Sequence, residues 1–259
     1  MLMLLIAICG FSAGMLGSLI GIGGGIIIVP ILVLIFNLPI KSAVAISLIS
    51  VCATSIGGAS RYLVSGQTDF RLGLFLETTT VAGAICGGLI AILVNQSIIA
   101  IMFSILLFYT AIAMIKKKEN VDDFNSEDTR AESGGLIKYI VLTLSFAGGI
   151  LSSLLGVGGG IIKVPIMNLI LKLPIKVSAA TSTYMIGSTT AAGSIVYLIK
   201  GVIDYQVAAP LILGTYLGSG IGAKLSGRIY SNAIKYIFII VLLYSAVTIA
   251  LKHFGINLL

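Results

Sequence analysis

The sequence predicts an all-α integral membrane protein built from two homologous repeats, and three observations predict it. Of the 259 residues, 58% are hydrophobic and only 10% are charged, more apolar than ordinary soluble domains. Two runs, Met1–Pro39 and (Glu77 apart) Leu72–Ile115, carry no charge, and each is long enough to cross a hydrocarbon core of about 30 Å as a helix. Shifted by 135 residues, the sequence matches itself without a gap, with 32 identities between Phe11–Gly88 and Phe146–Ala223. Helices rather than a barrel follow from the absence of period-2 alternation, since only those two forms satisfy the backbone in lipid.

The elements of the first repeat, residues 1–115, read in order as apolar segments near 1–20, 24–36, 42–64, 72–94 and 97–115. Turns fall at NLPIK, SGQTDF and NQS. The second repeat, residues 136–259, gives 139–155, 159–171, 177–199, 207–229 and 232–251. Asp69 and Asp204 precede helices and read as N-caps. Between the repeats lies a charged linker, residues 116–135, which holds six of the nine acids. The N-terminal apolar run has an internal copy before Gly156 and no basic start, so it reads as structure rather than a cleaved leader.

The segment 24–36 is about 20 Å long at 1.5 Å per residue, too short to span comfortably. If segments one and two form a re-entrant hairpin, or both cross at a tilt, each repeat makes an odd number of crossings and the repeats are inverted. If residues 1–36 make one bent crossing, the repeats are parallel. The positive-inside rule arbitrates. Leaving out the intramembrane Lys163 and Lys224, the inverted arrangement puts eleven Lys/Arg on one face and three (Lys41, Lys200, Lys252) on the other. The parallel one separates them less well. This favours inverted repeats, with the linker cytoplasmic and both termini outside.

The strongest motif is GIGGGIIIVP, Gly21–Pro30, and its copy GVGGGIIKVP, Gly156–Pro165. A helix that starts inside the membrane leaves its first N–H groups unpaired and carries a partial positive charge there. Glycines let a ligand approach such a backbone closely. Interrupted helices meeting across two repeats are a common build for transporter binding sites near the midplane. The candidate anion ligands are therefore Gly23, Gly24 and Gly25 with Gly158, Gly159 and Gly160. Glycine clusters also serve helix packing, but two aligned copies, each before a short helix and a proline, favour binding.

Lys163 replaces Ile28 of the first copy, and an intramembrane lysine is a functional candidate by default. The bland alternative is that it snorkels or bonds a carbonyl. Small hydroxyls on the third segment add Ser47, Thr54, Thr181, Ser182 and Thr189, which donate to an oxyanion without the cost of a buried charge. Glu77 is the only acid well inside an apolar run and is a candidate proton carrier. Its repeat partner is Ile212, so symmetry gives it no support.

Other chemistry finds no footing in the sequence. Cys9, Cys52 and Cys86 form no CxxC pair, and His253 is the only histidine, so neither a metal site nor a cofactor is expected. No nucleotide fingerprint or nucleophile–base set appears, and an enzyme is not expected. The net charge of +7 and the scarcity of acids outside the linker suit an anionic partner. The expected partners are a small anion and the lipid bilayer, with no nucleic acid. The oligomeric state is not legible.

The doubled GxGGG(I)xxVP…LP block, the Ser/Thr-rich helix after it (ATS at 180–182) and the G-x-x-D before the next helix resemble the sulfite exporter TauE/SafE family over essentially the whole chain. The resemblance implies a permease of an inner membrane that moves a small sulfur-containing anion such as sulfite or an organosulfonate. Ile46 stands where the second repeat has Thr181, so the site implied is lopsided toward Lys163, Thr181 and Ser182. An anion channel, a carrier of another small anion or metabolite, and a scaffold whose glycines only pack helices are the alternatives.

Overall fold

The computed structural model describes residues 2–116, 135–225 and 232–253. The regular elements among these residues are all helices, with no strand. The order is α1 (Leu2–Ile20), α2 (Gly25–Pro30) with a π-helical turn Ile31–Ile35, α3 (Ile40–Val64), α4 (Phe70–Leu93) and α5 (Gln96–Lys116). Then come α6 (Gly135–Leu155), α7 (Gly160–Pro165) with a π-helical turn Ile166–Ile170, α8 (Ile175–Ile199), α9 (Tyr205–Leu225) and α10 (Asn232–His253). The interior of the charged linker, 117–134, lies outside the described residues, as do 226–231. Among the described residues, five helices are long and apolar enough to cross a membrane: α1, α3 and α4 throughout, α5 over Gln96–Ala113, and α6 over Ile137–Leu155.

Several local features follow directly from residue chemistry. Asp69 caps α4, its Oδ1 accepting from Leu72 N at 3.0 Å, and Asp204 Oδ1 accepts from Gln206 N at 2.9 Å. Pro30 and Pro165 close α2 and α7 rather than opening them. A proline at the sixth helical position removes one ladder bond and crowds the carbonyl four residues back. The chain answers by widening, with Phe36 N bonding Ile31 O and Leu171 N bonding Ile166 O.

At the centre α3 packs on α8. Their contacts run in opposite senses: Ser55 Oγ donates to Thr183 O at 2.5 Å, while Leu48, seven residues earlier, lies beside Gly193. Along the flanks α1 packs on α9, and α6 packs on α4. Glycine faces make these approaches close. A Cβ on Gly214, Gly218 or Gly222 would strike the carbonyls of Ala7, Phe11 and Met15, and one on Gly83 or Gly87 would strike those of Phe146 and Ile150. Without a hydrophobic driving force between helices in lipid, small residues and close backbone contact supply the attraction. The remaining pair, α5 and α10, also pack together, and α10 reaches over α2. The start of α5 and the end of α10 line one cavity, through Gln96, Ala100, Ile249 and Lys252.

Candidate anion site at the glycine breaks

The two glycine segments break the helices in the same way. After α1 ends, the N–H groups of Gly21, Ile22 and Gly23 converge on Gly17 O at 3.0–3.2 Å. Gly24 then adopts a left-handed φ of 82° and starts α2. In the copy, Gly156 N and Val157 N bond Ser152 O at 2.9 and 3.2 Å, and Gly159, at φ 77°, starts α7. Side chains rarely tolerate that φ, which accounts for glycine at both caps. The first ladder bonds of α2 come from Ile27 and Ile28, both to Gly24 O, and those of α7 from Ile162 and Lys163, both to Gly159 O. The N–H groups of Gly25, Ile26, Gly160 and Ile161 therefore stand outside the helical ladder.

The two breaks lie against each other. A Cβ on Gly25 would strike the Gly156 carbonyl, and one on Gly160 would fall 2.7 Å from Gly21 O. Gly23 and Gly158 each face both Val51 and Ile186, the middles of α3 and α8. Ser47 Oγ donates to Gly156 O at 2.7 Å, and Ser182 Oγ donates to Gly21 O at 3.2 Å. These two hydroxyls thus tie each repeat's third segment to the other repeat's break. Ser18 and Ser153, equivalent residues at the ends of α1 and α6, have buried hydroxyls without a hydrogen-bond partner, as does Ser152. Ser152 Oγ lies beside Gly159, at the start of α7.

Lys163 is the fourth residue of α7 and 1% exposed. Its Nζ lies 3.1 Å from Glu77 Oε2 and 2.5 Å from Thr189 Oγ1. Thr189 Oγ1 donates in turn to Glu77 Oε1 at 2.5 Å, and Ser188 Oγ donates to the same oxygen at 2.7 Å. Glu77 is 6% exposed. Three helices, α4, α7 and α8, thereby bring one ammonium, one carboxylate and two hydroxyls into a single network. The lysine neither snorkels nor bonds a carbonyl; it meets an acid 86 residues away in sequence.

The structure brings Lys163, Thr189 and Glu77 together and leaves the other predicted hydroxyls apart. Thr54 Oγ1 bonds Ser50 O within α3 at 3.0 Å, and Thr181 Oγ1 accepts from Asp69 N at the start of α4 at 2.9 Å. Ser188 is not among the sequence-predicted residues; its repeat partner is Ala53. One signal does point to the pair: Glu77 and Lys163 are opposite charges inside apolar segments, and each stands opposite an isoleucine in the other repeat. Neither repeat alone justifies its charge, and each charge justifies the other.

Two cavities lie away from this network. The larger, about 570 Å³, sits at the ends of α3 and α9 and is lined in part by Arg61, Gln67 and Lys224. The smaller, about 300 Å³, holds Lys252, whose Nζ bonds Val33 O at 2.9 Å and Asn37 Oδ1 at 2.7 Å.

Comparison with known proteins gives a consistent result. The family model described as "Sulfite exporter TauE/SafE" matches residues 6–249. The chain is 27% identical over 256 residues to the probable membrane transporter protein YunE of Bacillus subtilis, covering 92% of this chain and 94% of that protein. It is 30% identical over 247 residues to the probable membrane transporter protein MJ0441 of Methanocaldococcus jannaschii, covering 88% and 89%. It is 24% identical over 161 residues to Arabidopsis thaliana sulfite exporter TauE/SafE family protein 6, covering 61% and 36%. No solved structure matches.

Proposed function

Because the chain belongs to the sulfite exporter TauE/SafE family, whose members matched here are probable membrane transporters, we propose that it is a secondary carrier of a small sulfur-containing anion. Sulfite and organosulfonates are the substrate class, and a cell's inner membrane is the location. The anion binds near the midplane, where the two half-helices begin. The observation that carries this reading is Lys163, a buried ammonium one turn into α7, the half-helix whose first N–H groups, those of Gly160 and Ile161, stand outside the helical ladder. A helix start and a cation together favour negative charge at that point. The unpartnered hydroxyl of Ser152, beside Gly159, adds a donor at the start of α7.

We read the two copies as inverted repeats. Support comes from α3 and α8, equivalent in sequence, whose contacts run in opposite senses, and from the start of α5 lying by the end of α10. An axis that reverses equivalent helices lies across them, in the plane of the membrane. The cavity holding Arg61 and Lys224 then lies on the linker face and serves as a cationic vestibule for the anion.

The test is a stabilisation screen of purified protein with sulfite, thiosulfate, methanesulfonate and acetate, followed by counterflow in liposomes. A ligand at a hundred times its Kd raises stability by about 2.7 kcal/mol. Saturable counterflow marks a carrier, and unsaturable passive flux a channel. Lys163→Met is expected to weaken anion binding at least about tenfold, or about 1.4 kcal/mol, while the protein still inserts. Unchanged affinity rejects Lys163 as a ligand.

A further inference from the structure

Lys163 is already neutralised. An anion that enters beside it meets an ammonium whose charge is matched by Glu77 at 3.1 Å, so the pair as it stands offers no net attraction. A site that must bind a negative charge while holding a carboxylate of its own has one economical solution, which is to remove the charge of that carboxylate when the anion arrives. From this geometry we infer that Glu77 is an internal stand-in for the substrate, and that each monoanion loads together with one proton. The inference rests on the anion-carrier reading above.

The two carboxylate oxygens are not equivalent, and the difference says where the proton goes. Oε1 accepts from both Ser188 and Thr189. Oε2 accepts only from Lys163. When the ammonium turns to an incoming anion, Oε1 keeps its two hydroxyl donors and Oε2 is left without one in the buried interior. A buried, unpaired carboxylate is strongly disfavoured against its neutral form, so Oε2 takes up the proton. The charge balance closes: a lysine–carboxylate pair of net zero becomes a lysine–anion pair of net zero plus a neutral carboxyl. One anion and one proton have entered, and no net charge has been buried. Release on the other side reverses both steps, and Glu77 returns to Lys163. Thr189, which accepts from Lys163 and donates to Glu77, links the two sites that must change together.

The surroundings of Glu77 fit this role. Lys163 bonds it directly from α7. From α8, Tyr184 lies within electrostatic reach. From α6, Lys138 sits over the Phe75 ring, 4.9 Å from its centroid. Arg71, on α4 itself, is exposed. Ser188 is exposed while Glu77 is buried, so a single hydroxyl separates the carboxylate from the surface of the protein. The equivalent positions related by the repeat have none of this, with Ile212 for Glu77, Ile28 for Lys163 and Ala53 for Ser188. Proton exchange is thus a property of one half of the site.

The experiment uses full-length protein in liposomes, with radiolabelled methanesulfonate, a monoanion at every pH used, and a pH-sensitive dye in the lumen. The wild type is expected to move one proton with each anion, in the same direction, at a rate that a valinomycin-clamped potential does not change. Net methanesulfonate uptake without proton movement, or net flux that follows the clamped potential, overturns the inference and leaves the carrier reading standing. Absence of any methanesulfonate counterflow overturns both. Glu77→Gln keeps a carbonyl acceptor but cannot exchange a proton. It is expected to lose at least nine-tenths of the proton movement per anion, and the anion flux that remains no longer varies with pH. Wild-type proton stoichiometry in Glu77→Gln also overturns the inference, and the wild-type stoichiometry decides the matter even if the variant does not fold.

Discussion

The half-helices α2 and α7 share a backbone and differ in chemistry. Each starts at a left-handed glycine, φ 82° at Gly24 and 77° at Gly159, each ends at a proline and each widens into a π-helical turn. Yet Ile28 is 0% exposed within an apolar cluster, while its counterpart Lys163 holds an acid and a threonine. Cover differs too, since Pro30 is buried and Pro165 is exposed. The duplicated part is the part that fixes the backbone, and the part that is not duplicated carries charge. The two sequence copies thus supply two helix starts, and ionisable groups, one from each copy, meet at only one of them.

The largest expected effect comes from moving charge across that divide. Breaking a buried pair by removing one partner costs about 3–5 kcal/mol, whereas replacing both with apolar groups is often neutral. Glu77→Leu is therefore expected to lower thermal stability in detergent far more than the double variant Glu77→Leu/Lys163→Met. In the first repeat, Ile28→Lys should be as damaging as Glu77→Leu. Adding Ile212→Glu should recover less than half of the loss, because Ala53 and Thr54 offer one hydroxyl where Ser188 and Thr189 offer two. Full recovery by that transplanted pair would show the two half-helices to be interchangeable and break the contrast.

A smaller and symmetric effect is expected at the glycines. A Cβ on Gly25 would meet the Gly156 carbonyl and lie 2.8 Å from Val157 Cα; one on Gly160 would lie 2.7 Å from Gly21 O and 2.8 Å from Ile22 Cα. Each clash is with the backbone of the facing loop, which has no rotamer to change. Gly25→Ala and Gly160→Ala should each cost about 1–3 kcal/mol of overpacking and both should slow transport, by similar amounts. A loss confined to Gly160→Ala would mean that the glycines of the first repeat are only spacers.

The sequence makes the break itself legible, since Gly21–Gly25 and its copy hold register over a span that apolar composition alone could not align. It also makes the helix starts after Asp69 and Asp204 legible, because capping is local chemistry. The π-helical turns after Pro30 and Pro165 are not readable, because a widened turn differs from an α-helical one by a single bond per residue and not by composition. The pairing of Glu77 with Lys163 shows in the sequence only as two opposite charges, each standing opposite an isoleucine of the other repeat, and not as a contact. It depends on how α4 and α7 both approach α8, a tertiary relation to which no local periodicity points. Ser47 and Ser182 are legible as polar residues at aligned positions, but not as donors to the opposite repeat's loop, because their acceptors are glycine carbonyls with no side-chain signature.

That last pair gives the smallest expected effect. Ser47 Oγ reaches Gly156 O at 2.7 Å and Ser182 Oγ reaches Gly21 O at 3.2 Å, so the bond from the first repeat into the second is the shorter. A buried hydrogen bond is worth about 0.5–1.5 kcal/mol net, and a carbonyl left unpaired costs about 1–3 kcal/mol. Ser47→Ala and Ser182→Ala should each lower stability by about 1 kcal/mol, with Ser47→Ala the larger, and neither should change the pH dependence of transport. If these hydroxyls only lock the loops, Cys substitution, which keeps a weak donor, restores part of the loss without altering anion affinity. A change in anion affinity in either alanine variant, at equal stability, would instead make that serine a ligand. Because the serines are equivalent while the charges are not, such a change confined to Ser182 would extend the asymmetry of the site from its charges to its hydroxyls.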